Sequence, residues 1–197
     1  MPQEAPNPSA RQNELLEAAY RYALAHGLAD LSLRPLAEAI GSSPRVLLFL
    51  FGSKDGLLRA LLTRARADEL ALLDRAGQPG QPTGLGPAVE RIWTWLAAEE
   101  HRPLLRLWAE AYTRSLVQPD GAWAGFARAT VEDWLRVLAA LQPPSERDSE
   151  VGAIRRTLAL ALLRGALLDL LATNDEKRLT AAVGHHLTLL HDDNEAG

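Results

Sequence analysis

The sequence predicts an all-α chain of about nine helices, and three observations carry that prediction. Ala, Leu, Arg and Glu, all strong helix formers, dominate the composition. Val and Ile are scattered, and no stretch alternates apolar and polar residues over five or six positions, so strand signals are nearly absent. Gly and Pro recur at intervals that cut the chain into helix-length pieces. At 197 residues and 47% hydrophobic content the chain can bury a sizeable core, and its length fits a small domain joined to a medium one.

The first helix is expected over 9–25, where Leu15, Leu16, Ala19 and Ala23 form one apolar stripe and Gly27 lies just past the end. The second covers 33–40. Ser32 stands at its cap, Pro35 falls in the first turn where a missing N–H costs little, and Gly41 stops it. The third is short, 44–51, with Ser43 as cap, Pro44 at the position that suits proline best, and Gly52 as terminator. Ser53 caps a fourth helix running to about residue 76. GQPGQPTGLGP, residues 77–87, is the clearest loop in the chain. Helices are then expected over 88–99, 103–116, 121–141, 147–172 and 175–191, with Pro143-Pro144 and Thr173-Asn174 as breaks.

Composition excludes several classes of function. With no cysteine, disulfide frameworks, thiolate metal sites and cysteine nucleophiles are ruled out together. The most apolar stretch, 158–171, is interrupted by Arg164 and Asp169 and falls short of the roughly 20 residues that span a bilayer, so no membrane partner is expected. MPQEAPNPSA has no basic region followed by an apolar one, so a secretory signal is not expected and the cytoplasm is the expected compartment. His185-His186 lacks the i,i+4 spacing of a helical zinc pair, no Gly-rich phosphate loop follows a strand, and no nucleophile sits in a diagnostic motif. Neither catalysis nor a metal nor another cofactor is expected. The net charge is −4, yet up to Arg66 eight Lys or Arg face six Asp or Glu, so the front of the chain is weakly basic.

Two short helices separated by a tight turn, 33–40 and 44–51, have the size and spacing of a helix-turn-helix. The surrounding residues are more specific. LLEAAYRYALAHGLADLSLRPLAEAIGSSPRVLLFLFGSKDGLLRALL, residues 15–62, resembles the N-terminal domain of the TetR family of transcriptional regulators from end to end. The likeness is carried by Ala18-Ala19, Gly27, Ser32, LAEAIG at 36–41, Ser43, Leu47 and FGSKDGLL at 51–58. It implies a three-helix DNA-binding domain over 9–57 and a helical ligand-binding and dimerisation domain over 58–191.

The resemblance implies that helix 44–51 enters the major groove of double-stranded DNA and that Lys54 contacts phosphate. A lysine in the first turn of a helix opposes the macrodipole, and a docked phosphate would compensate it. Arg34, Ser42, Ser43 and Arg45 are the further polar DNA-binding candidates. Family members usually carry Tyr-Tyr-His where this chain has Leu48, Phe49 and Leu50. Six consecutive apolar residues, 46–51, sweep round the whole helix, so some must point outward. With Leu47 and Phe51 facing the core, Leu48 and Phe49 are the exposed candidates. Contact with thymine methyls, altered core packing, and a face for another protein with operator binding weakened or lost are three readings of the same residues.

All five tryptophans follow the 77–87 loop, and such side chains suit an apolar pocket or an ordinary core. The resemblance implies that some of them line a cavity for a small apolar or aromatic effector. Trp93, His101, Trp108, Tyr112, Trp123 and Phe126 are the candidates, with Arg106 and Arg114 as further polar groups. The last two helices resemble the pair that forms a four-helix dimer interface in the family. Leu158, Ala161, Leu162, Gly165 and Leu168 are the interface candidates, and the same residues would equally suit packing within one chain. The reading is a ligand-responsive regulator, a repressor, that binds a near-palindromic operator as a homodimer.

Overall fold

The computed structural model describes residues 8–77 and 84–195. Among them are ten α-helices and two short 3₁₀ turns, and no strand. The front of the chain forms α1 (Pro8–His26), α2 (Leu33–Ala39), α3 (Pro44–Phe51) and α4 (Lys54–Gly77). Then come α5 (Leu85–Ala97), α6 (Arg102–Val117), α7 (Phe126–Leu141), α8 (Pro144–Arg147), α9 (Glu150–Thr173) and α10 (Glu176–Glu195). Residues 78–83 of the expected loop lie outside the described residues, and Leu85 to Pro87 open α5.

Two expected helices are interrupted. In place of a helix over 121–141, Gly121–Trp123 is a 3₁₀ turn and α7 begins only at Phe126. Gly125 between them has φ +74°, a left-handed conformation that only glycine adopts without strain. In place of a helix from residue 147, the double proline opens the single turn α8, and Ser149 then caps α9 by accepting the Gly152 N–H at 2.9 Å. Fully buried Gln142 secures this corner, donating to the Gly152 carbonyl at 3.1 Å while its own Oε1 accepts from Arg156 at 2.9 Å.

The chain divides into two compact units, Met1–Asp68 with Arg106–Ala127, and Glu69–Leu105 with Arg128–Gly197. In the first, α1, α2, α3 and the start of α4 enclose Leu15, Ala19, Ala23, Leu28, Leu36, Leu47, Leu57 and Leu61. Of the stripe expected on α1, Leu16 alone is only half-buried. Polar ties join its elements. Gln12 donates to the Leu50 carbonyl at 2.8 Å, Arg64 donates to Glu17 at 2.6 Å, and the Tyr20 hydroxyl donates to Asp68 at 3.0 Å. Glu110 of α6 accepts the Leu28 N–H at 2.9 Å. Gly27 beside it has φ +79°, and a Cβ there would stand 3.0 Å from the Glu110 carboxylate, so both backbone and space call for glycine.

In the second unit α5, α9 and α10 pack on one another around Val89, Ile92, Leu96, Ala159, Leu163, Leu170, Leu179 and Val183. The Trp93 indole donates to Thr180 at 2.9 Å and the Trp134 indole to buried Glu69 at 2.8 Å. The turn between α9 and α10 is held by Asn174 in the left-handed region at φ 58°, its side chain accepting from Arg102 at 3.2 Å. No helix among the described residues is long and apolar enough to cross a membrane.

Candidate nucleic-acid interface

The helix-turn-helix elements α2 and α3 pack on each other, and Leu36 on α2 and Leu47 on α3 are buried. The caps are unequal. Ser43 accepts the Val46 N–H at 3.3 Å and Ser53 the Gly56 N–H at 2.9 Å, as their spacing implies. Ser32 occupies the cap position of α2 but makes no side-chain cap bond.

The outward face of α3 follows from its periodicity. Leu47 is 1% exposed, whereas Val46 is 38%, Leu48 41% and Phe49 83% exposed. At about 100° per residue Phe49 stands roughly 160° from Leu47, so burying one obliges the other to leave the core. Arg45, one turn before Phe49, shares that face and is exposed. Phe51, expected to be a core partner of Leu47, is only half-buried, as is Leu50. Arg34 and Lys54 are exposed, and no ion pair among the described residues holds Arg34, Arg45 or Lys54. Ser43 is half-buried, and its hydroxyl oxygen accepts the cap bond. The Ser42 hydroxyl oxygen is enclosed and has no hydrogen-bond partner among the described residues.

The effector candidates divide between the two units. Trp108 and Tyr112 stack in the first unit with ring centroids 5.0 Å apart, and Trp123 lies under the Arg114 guanidinium at 5.9 Å. Phe126 and Trp123 are buried, and the Trp108 N–H is enclosed without a partner among the described residues. In the second unit Trp93 is committed to Thr180, while the His101 ring lies 4.5 Å from Trp95 with its Nδ1 2.8 Å from the Trp95 carbonyl. Arg106 is exposed. Two groups that sequence reasoning did not single out stand beside these, the enclosed unpartnered indole N–H of Trp95 and the Glu110 carboxylate, whose Oε1 has no partner. Spacing does not mark Glu110, because its partner, the Leu28 N–H, is remote in the chain.

On α9 the candidates Leu158, Ala161, Gly165 and Leu168 are exposed and Leu162 is half-buried. Val151, Ile154 and Ala172 extend them into one exposed stripe, 151, 154, 158, 161, 165, 168 and 172, stepping by three and four residues. Ala161 and Gly165 set at its middle would let a second helix approach closely.

Residues 15–61 match the family described as bacterial regulatory proteins, tetR family. No curated protein matches the chain. Among solved structures, the chain is similar to a putative TetR-family transcriptional regulator from Rhodococcus sp., at 18% identity and TM-score 0.71, with 91% of this chain and 98% of that one covered. It is similar to the multidrug binding protein EbrR complexed with imidazole, at 25% identity and TM-score 0.65, covering 91% and 90%. It is also similar to a TetR transcription regulator from Haloarcula marismortui, at 20% identity and TM-score 0.68, covering 90% and 94%.

Proposed function

This chain belongs to the TetR family of bacterial regulators through residues 15–61 and has the family's fold, and on that premise we propose that it is a ligand-responsive transcriptional repressor that binds a near-palindromic operator as a homodimer. Proteins of this family bind DNA and are generally not enzymes, and the cytoplasm is where such a protein would meet its operator. The observation that carries the reading is the outward face of α3, where Arg45, Leu48 and Phe49 are exposed while Leu47 is buried. A helix presented in this way, with Arg34 and Lys54 on the same domain in no ion pair among the described residues, has the form of a major-groove element flanked by phosphate contacts.

The exposed stripe on α9 supports the homodimer. Two copies would then place their α3 helices in successive major grooves, about 34–36 Å apart on one face of the duplex. The stacked Trp108–Tyr112 pair and the unpartnered Trp108 N–H support a small aromatic effector, since a buried donor without a partner favours a ligand that supplies an acceptor. EbrR, which is similar in fold, has been crystallised with proflavin, a planar aromatic. Induction would follow if the effector prefers a conformation in which the two reading heads no longer fit the operator.

Selection of sites from random duplex DNA, run with the protein and with an Arg45→Ala/Lys54→Ala double variant, tests the reading. The expected result is an enriched near-palindrome, lost in the variant and bound more weakly as salt rises. An absence of enrichment would move the assignment to a helical interaction protein of TetR shape, the second reading that exposed Phe49 favours.

A further inference from the structure

We propose that α3 reads its operator through pyrimidine C5-methyl groups, with Phe49 as the principal methyl contact and Leu48 and Val46 beside it. The inference rests on the operator-binding reading above and adds the chemistry of the bases read.

Three side chains dominate the outward face of α3 after Arg45, and none carries a hydrogen-bond donor or acceptor. They therefore cannot read the N7, O6, O4 or amino edges that distinguish most base pairs in the major groove. The one apolar feature on that surface is the C5-methyl of thymine, which 5-methylcytosine shares. Phe49 is the most exposed large apolar residue among those described, at 83%, and it sits at the centre of the face that Leu47 turns away from the core. Arg45, one helical turn earlier on the same face, is the residue able to pair with a guanine edge.

The surroundings favour DNA over an apolar protein surface as the occupant. Arg34, Arg45 and Lys54 are exposed, and none is neutralised by an ion pair among the described residues. An apolar protein partner would have to desolvate those cations or leave them at its rim, whereas a duplex offers phosphates to them and methyl groups to the phenyl ring. The fold does not need Phe49 on the surface, since Leu47 is the residue that α3 buries and Phe49 is 83% exposed. Serine or glutamine could occupy position 49 without loss of core.

The test begins with the site selected by the full-length protein, resynthesised with deoxyuridine replacing thymine at each position, which removes the methyl and nothing else. Binding is read by fluorescence anisotropy at fixed salt. Loss of one contacted methyl is expected to weaken binding about fourfold, and loss of one in each half-site about sixteenfold, on the scale of about one buried methylene per contact. Phe49→Ser is expected to lose most of the discrimination between thymine and deoxyuridine operators, and Leu48→Gln to lose a smaller part of it. A parallel selection from a library carrying 5-methylcytosine separates the two sources of the methyl. A site enriched only there assigns it to 5-methylcytosine, and a thymine site in both assigns it to thymine. A selected operator bound equally with thymine and deoxyuridine, and no better with 5-methylcytosine, overturns the proposal. Enrichment from neither library overturns the operator-binding reading itself, and this inference with it.

Discussion

Tyr20 shows how one side chain ties α1 to α4. Its ring is buried on α1, its hydroxyl donates to Asp68 of α4, and the Arg64 guanidinium lies 4.8 Å from the ring centre while pairing with Glu17. Burial above all, and then the neighbouring Asp68 carboxylate, raise the phenol well above its ordinary value near 10, because a phenolate there would be desolvated beside a negative charge. A raised folded-state value means that the neutral phenol stabilises the fold fully below about pH 10 and that this contribution is lost as pH climbs towards the folded value. Tyr20→Phe should therefore lower stability by about 1.5 kcal/mol at pH 8, the scale of a hydrogen bond to a charged acceptor. The gap between the two proteins should close progressively above pH 10. Thermal melts of both from pH 8 to 11 check this, and a gap that stayed constant across that range would show that the hydroxyl bond is not the cause.

Helix α3 has only eight residues, too few to persist without tertiary support and a satisfied first turn. Ser43 supplies that turn through its bond to the Val46 N–H, and Pro44 fixes the backbone where no donor is needed. Ser43→Ala should cost about 1 kcal/mol in urea unfolding, with Ser43→Thr recovering most of it. If alanine and threonine were equally tolerated, the cap would carry none of this stability. The unequal outcome at Ser32, which holds the cap position without the bond, shows why a serine before a helix licenses a cap without guaranteeing one. The same limit applies to 121–141, where helix-forming residues on both sides concealed the break at Gly125.

For the whole molecule, the exposed stripe on α9 bears on assembly. Leu158 and Leu168 contribute little to the core of the chain they belong to, being 54% and 43% exposed. A Leu158→Glu/Leu168→Glu variant should keep its helical circular dichroism, sediment as a monomer at micromolar concentration, and lose operator affinity, because two half-sites would no longer be held by one assembly. A variant that remained dimeric would place the interface elsewhere. Contacts also gather the chain differently from its linear order, since Arg106–Ala127 joins the front unit through ties such as Glu110 to the Leu28 N–H, 82 positions apart in sequence. Nothing local at residue 110 records that partner, so this grouping is not legible along the chain.

What the sequence by itself determined was the helical class, the order of the front four helices, the caps at Ser43 and Ser53, and the helix-turn-helix over 33–51. These depend on short-range chemistry, on apolar periodicity, capping oxygens and the punctuation of glycine and proline. Tertiary structure decided which of six consecutive apolar residues faces outward. A run that is apolar all round a helix has no periodicity to consult, so only the packing of Leu47 into the core could expose Phe49. It likewise decided that the α9 stripe is not covered by its own chain and that the six effector candidates fall into two units, since both depend on partners brought together across long stretches of chain.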